Sequence, residues 1–391
     1  MSRNISQFKK HCCGCGVCSA VCPRTAITMK ENCQGFKYPF VDNKRCINCG
    51  LCIDSCSFND AHLSNNLNEF PQFYGLKHKN QDVRIESRSG GAYTALSDAI
   101  LNKHGIVYGC ELINCKSALH VRASTQAERN RQRGSKYIQS DLEGVLCKIK
   151  EDLDAGQYVM FSGTPCQVAA VKSFLERTNT DKLVLIDVLC HGVGSPRFWK
   201  DYLESIERKL NSKIIEAVFR NKKDFGWQSH VETVYYDDQK IDSTLYKRMY
   251  LSHLAIRKDC EKCPYKNMHR VGDISLGDCW GIKECNPTFF DNTGVSLVLV
   301  NTPKGLDVFN AMCDVDCISI ENDRILQQPS LRMNWTMPEK YNAFWRYYRV
   351  FGFEKTIEKY SEYAESIMYK DEKIPLVKRA FRKCKRIVRK K

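Results

Sequence analysis

Cysteines at 12, 15, 18 and 22 recur with the same spacing at 46, 49, 52 and 56. No other feature narrows the fold of this chain so far. Three thiolates at i, i+3 and i+6 wrap one face of an iron–sulfur cubane, and the fourth in each run leaves to ligate the neighbouring cluster. The first 4Fe–4S cluster then takes Cys12, Cys15, Cys18 and Cys56; the second takes Cys46, Cys49, Cys52 and Cys22. Gly14, Gly16 and Gly50 let the backbone approach the sulfides. A zinc knuckle pairs Cys-x-x-Cys hooks with ligands at longer range, and a disulfide knot needs an oxidising compartment. Neither explains a duplicated four-cysteine run. Cys13 and Cys33 lie outside the spacing and read as bystanders. Pro23 follows the first run, whereas Ser57 stands in its place after the second.

Twenty-two cysteines in 391 residues point to metal or redox chemistry if the thiols stay reduced. The polar, basic start from Met1 to Lys10 lacks the apolar centre of a signal peptide, and no apolar run reaches the ~20 residues of a membrane span. The expected location is therefore cytoplasmic. The formal charge of +15 is concentrated at the end, where Lys378 to Lys391 holds nine cations and leaves +6 for residues 1–377. Anionic clusters would offset much of that remainder, so no nucleic-acid surface is indicated. Leu376, Ala380, Phe381, Cys384, Ile387 and Val388 share one helical face among those cations. They suggest peripheral contact with the inner face of the cell membrane; a plain basic end is the alternative.

Three segments emerge: a two-cluster domain over residues 1–65, a main domain over 66–370 and a basic amphipathic tail over 371–391. The first is too short and Cys-rich to build a core and must be organised by its clusters. Ser64 to Glu69 reads as a linker. In the main domain, helices are expected over Gly91–Lys103, Pro165–Glu176, Lys304–Met312 and Phe344–Met368, with a further one opened by Ser195 as cap and Pro196 in the first turn. Strands are expected at Ile106–Tyr108, Tyr158–Phe161, Leu183–Leu189, Val231–Tyr236 and Ser296–Val300. Strand and helix alternate only in the first half, which favours α+β, a mixed α/β main domain, over a regular doubly wound sheet.

A second cysteine set follows from this layout. Cys166 and Cys190 each come just after a strand, and Cys260-x-x-Cys263 forms a hook further on. The four can converge on one tetrahedral site, either a third 4Fe–4S cluster or zinc; buried structural thiols are the plainer alternative. Cys279 and Cys285 follow the hook and default to structural roles. Three stretches could face an anion or stack a ring: Ser87-Arg88-Ser89-Gly90-Gly91 before a helix, Arg133-Gly134-Ser135-Lys136-Tyr137, and the turn-rich Asp273 to Gly281. A dinucleotide fingerprint is absent, because Arg197 stands where the third glycine after Gly192 and Gly194 belongs.

The duplicated run resembles a bacterial-type two-cluster ferredoxin. Ser89 to Leu96, Ser135 to Ser140, Ser162 to Gln167, Leu189 to Gly192 and Asp273 to Gly281 together resemble the family formed by the beta subunits of coenzyme F420-reducing hydrogenases and dehydrogenases. That resemblance implies FAD, a third 4Fe–4S cluster on Cys166, Cys190, Cys260 and Cys263, and cofactor contacts from Ser89, Gly90, Gly91, Ser135, Lys136 and Tyr137. It implies an FAD-dependent iron–sulfur oxidoreductase exchanging electrons with a redox partner protein (a ferredoxin or another oxidoreductase subunit) and with a small-molecule acceptor or donor. That small molecule is a deazaflavin coenzyme or, in bacterial members, a substrate of cell-surface polysaccharide biosynthesis. The alternative is a non-catalytic electron-transfer subunit. His191 and Lys136 are the candidates for moving a proton.

Overall fold

The computed structural model describes residues 3–7, 11–65, 71–321 and 329–368. The expected basic tail and most of the linker lie outside the described residues.

In the N-terminal segment two short helices, Val17–Ala20 and Leu51–Asp54, each follow a left-handed glycine, Gly16 or Gly50. Between them β1 (Ile27–Glu31) and β2 (Lys37–Val41) form an antiparallel hairpin. The main body holds an eight-stranded sheet built from β3 (Gln72–His78), β4 (Ile106–Ile113), β5 (Ser117–Ala123), β6 (Val159–Gly163) and β7 (Leu183–Val188). After it come β8 (Ile214–Val218), β9 (Glu232–Tyr236) and β10 (Gln239–Ser243), a separate antiparallel sheet. Then β11 (Ile274–Asp278), β12 (Ser296–Val300) and β13 (Val315–Ser319) return to complete the large one, in the order β13-β3-β12-β11-β7-β6-β4-β5. This is the mixed α/β architecture expected.

Four neighbouring strands, β4, β6, β7 and β11, run parallel, and antiparallel strands flank them. Parallel strands covered on both faces must be apolar throughout; every residue of β6 is buried, as is most of β7. Helices Ala92–Leu101 and Pro303–Asn310 cover one face, and Val145–Asp154 and Pro165–Phe174 cover the other. The stretch expected as turns between Asp273 and Gly281 is instead mostly β11, inside the sheet. Its glycine and two acids disguise it: Gly277 packs flat against Leu189, Asp273 accepts hydrogen bonds from Leu185 N and Thr302 Oγ1, and Asp278 ends the strand.

The second sheet and two helices, Pro196–Leu210 and Tyr341–Met368, enclose an aromatic core in which Trp199 stacks on Phe219 at 4.1 Å. The second helix breaks at Gly352, whose φ is 75°. Among the described residues no helix is long and apolar enough to cross a membrane.

Candidate redox site

Parallel strands place their carboxyl ends on one edge of the sheet, and loops at that edge carry sites in such folds. Cys166 follows β6 and Cys190 follows β7, so adjacent strands deliver both thiols to the same edge. Thr164 and Gln167 cap the helix in which Cys166 is the second residue, and Thr164 Oγ1 lies 3.2 Å from Cys166 Sγ. The hook carrying Cys260 and Cys263 is brought in from far along the chain by Arg270, which is 1 % exposed at its side chain. Arg270 donates to Tyr265 O at 3.0 Å and Asn267 O at 3.1 Å, and pairs with the fully buried Asp187 on β7. One ion pair therefore ties the strand leading to Cys190 to the loop holding the hook.

The four thiols come together. Burial pushes the Cys190 thiol up, and the Cys260, Cys166 and Cys263 thiols add to that. Burial likewise pushes Cys260 up to about 11. Cys190 and Cys260 therefore hold their protons, whereas the contact with Cys13 lowers Cys166 to about 7; metal binding would displace the protons that remain. Among the described residues no three His, Cys, Asp or Glu side chains are grouped as they would be round a single ion; a cubane needs its thiolates set wider than that.

The N-terminal thiols lie close together. Burial raises Cys18, and Cys15, Cys12, Cys56 and Cys52 raise it further. Cys22, Cys46, Cys49 and Cys52 line one small cavity. Cys13, read from the sequence as a bystander, is half-buried, and its thiol interacts with the thiols of both Cys15 and Cys166. It spans the gap between the first cysteine set and the one on the main body. Arg257 holds the same junction, donating to Cys12 O at 2.8 Å, Gln139 Oε1 at 2.9 Å and Lys37 O at 3.2 Å. Tyr265 adds a bond to Ser57 O at 2.7 Å. At Gly14, with φ 72°, a Cβ would fall 2.7 Å from Lys37 O, so this seam requires glycine.

Beside the Cys190 loop lies a cavity of about 400 Å³, within the range of small-molecule sites. Ser89, Gly91, Ser135, Lys136 and Tyr137 line it, as do Cys190 and His191. Gly90 does not. It is pressed against the sheet, where a Cβ would meet Leu76 O at 2.1 Å and Ser296 N at 2.5 Å. Ser89 turns its hydroxyl to Val295 O at 2.7 Å.

The cavity wall is cationic. Arg88, Arg133, Lys136, Arg220 and Lys247 face it with the one acid among its lining residues, Asp278, which Arg220 pairs at 3.0 Å. Arg88 Nε and Nη1 are buried without a hydrogen-bond partner. Buried donors are rarely left so; beside a helix N-terminus opened by Gly91 they suit an anionic group such as a dinucleotide pyrophosphate. Tyr137 and Trp280 supply ring faces. The residues present thus fit a flavin dinucleotide, and sequence reading missed Arg220, Lys247 and His120 because nothing near them repeats or spaces like a motif.

Of the proton candidates, Lys136 has its ammonium on three carbonyls, Arg131 O at 3.4 Å, Gln132 O at 2.9 Å and Arg133 O at 2.7 Å. Burial lowers its pKa to about 8, yet all its protons are directed at its own loop. His191 Nε2 lies 2.7 Å from His253 Nε2, and burial lowers His191 to about 4. The pair is therefore neutral near pH 7. Cys279 is wholly buried beside Trp227 and Ile282, away from the cysteine sets, and packs as an apolar residue.

Residues 156–324 match the family described as the C terminus of the coenzyme F420 hydrogenase/dehydrogenase beta chain. Residues 11–59 match the 4Fe-4S dicluster domain. The F subunit of the F(420)H(2) dehydrogenase of Methanosarcina mazei is 24 % identical over 335 residues, covering 81 % of this chain and 92 % of that protein. The I subunit of the NADH-quinone oxidoreductase of Pelobacter propionicus is 31 % identical over 74 residues, 17 % of this chain and 39 % of that protein. A chain of the F420-reducing [NiFe] hydrogenase complex from Methanosarcina barkeri aligns with a TM-score of 0.45 and 17 % identity over 76 % of this chain and 93 % of that one.

Proposed function

We propose that this chain, a 4Fe-4S dicluster domain joined to a body of the family of coenzyme F420 hydrogenase/dehydrogenase beta subunits, is a flavin-dependent oxidoreductase linking one-electron carriers to a hydride acceptor or donor. A flavin exchanges two electrons as hydride whereas each cluster carries one, so a protein holding both converts between the two kinds of transfer. One observation carries the reading. Cys13 joins the first cysteine set to Cys166, and Cys190 of the Cys166 set forms part of the cavity wall. The first set, the Cys166 set and the cavity therefore adjoin one another.

On this reading Cys166, Cys190, Cys260 and Cys263 hold a third 4Fe–4S cluster, and FAD occupies the cationic cavity. Arg88 and Arg220 bind its anionic portion; Ser89, Gly91, Ser135 and Tyr137 shape its surroundings, and Gly90 fixes the loop behind it. The relative named for an F(420)H(2) dehydrogenase favours a reduced deazaflavin as the hydride donor over a substrate of polysaccharide synthesis. Protein purified anaerobically should contain about twelve irons and one flavin per chain. It should also bleach the flavin when given reduced deazaflavin without any partner protein. About eight irons, or a chain without flavin, would refute the proposal; bleaching only within a complex would leave a relay subunit.

A further inference from the structure

Of the twelve cysteines assigned to clusters, Cys49 alone is exposed. The cavity bounded by Cys22, Cys46, Cys49 and Cys52 is rimmed by Arg3, Arg24, Ile47 and Leu51. Ile47, between two of those cysteines, is 58 % exposed, and Leu51 is 40 % exposed. Lys44 and Arg45, on the same loop, are exposed as well. Two carboxylates lie nearby: Asp54, paired with Arg3 at 2.7 Å, and Asp42, on the loop of Lys44 and Arg45, which accepts from Lys44 N at 2.9 Å. The first cysteine set faces the other way, sealed by Cys13, Arg257 and Tyr265 against the main body. The second set is thus turned outward, with an apolar centre inside a basic border.

Weak electron-transfer complexes use small contacts of this kind. The charged border steers the encounter, and the apolar centre allows close approach. We propose that the face formed by Ile47, Leu51, Arg24, Lys44 and Arg45 is the docking surface for an acidic one-electron iron–sulfur protein. One electron passes between the cluster held by Cys22, Cys46, Cys49 and Cys52 and the partner's cluster, oxidising one and reducing the other. It moves outward to the partner when a reduced deazaflavin supplies the hydride, and inward when the partner is supplied reduced; no proton or bond changes hands. The inference rests on the cluster assignments proposed above.

The test is anaerobic stopped-flow reduction of the full, cluster-loaded chain by two donors, a reduced acidic two-cluster ferredoxin and reduced methyl viologen. Arg24→Glu/Lys44→Glu should slow the ferredoxin reaction about tenfold at low ionic strength, and the difference from the parent chain should vanish in high salt. Viologen, a small cation, should react with the variant at least as fast as with the parent. Ile47→Ser, which keeps every charge, should slow the ferredoxin reaction at all salt concentrations. Ferredoxin rates unchanged in both variants would overturn the docking surface. A parent chain that accepts no electron from either donor would overturn the redox reading itself, and iron content measured on every sample separates the two failures.

Discussion

Cys13 shows how far a residue's meaning depends on its neighbours in space. In the sequence it breaks the spacing of the first cysteine run; in the structure its thiol interacts with those of Cys15 and Cys166, proposed here as ligands of two different clusters. A thiol has one proton, so it can donate to only one of those sulfurs at a time. Hydrogen bonds to cluster sulfurs ease reduction by stabilising the added negative charge. Cys13→Ala should therefore leave the iron content unchanged. In an anaerobic redox titration followed by electron paramagnetic resonance, the flanking clusters should become harder to reduce, their reduced fraction at a fixed potential falling several-fold. Loss of about four irons would instead identify Cys13 as a ligand. Lys136 is the opposite case. It looks like a free cation in the sequence, but its three carbonyl partners make it a clasp on residues 131–136. Lys136→Met should lower stability and weaken flavin retention, while a solvent isotope effect on hydride transfer should be unchanged.

At the level of elements, local chemistry was readable and remote pairing was not. Ser195 accepts from Phe198 N at the start of a helix with Pro196 in its first turn, and Thr164 with Pro165 opens the helix bearing Cys166. Both are short-range devices with recognisable residues. β11 was hidden because a central strand is defined by its partners β7 and β12, and its polar ends resemble a turn. The Asp187–Arg270 pair was equally hidden, since 83 residues separate its members. Breaking a buried pair leaves one charge uncompensated, at a cost of about 3–5 kcal/mol. Arg270→Met should lower the Tm by roughly 5–15 °C. It should also lower iron by about four per chain, because the hook loop loses Tyr265 O and Asn267 O as anchors. Asp187→Asn should do the same with the arginine left in place. Iron retained in both variants would mean that the hook is positioned by its own turn.

At the scale of the whole molecule, acid should act through histidines that the fold keeps neutral. Burial depresses His120, His191 and His230 to about 4 and His253 to about 3. In the unfolded chain each binds a proton near pH 6.5, so between that value and about 4 the unfolded state holds protons the native state refuses. Stability must fall as pH falls through this window and level off below it, with the penalty absent above pH 6.5. His120 isolates the effect. It stacks on Phe161 at 5.1 Å, donates from Nε2 to Ser162 O at 2.9 Å and has no carboxylate bonded to its ring. Its share is on the order of 3 kcal/mol at pH 4. Urea midpoints measured anaerobically from pH 8 to 4 should decline in the parent chain and decline less steeply in His120→Asn. Equal slopes would place the acid sensitivity elsewhere, in the cysteine-rich module if its fold depends on bound clusters. Iron release followed alongside the unfolding signal resolves that outcome, because loss of clusters would then precede the transition instead of accompanying it.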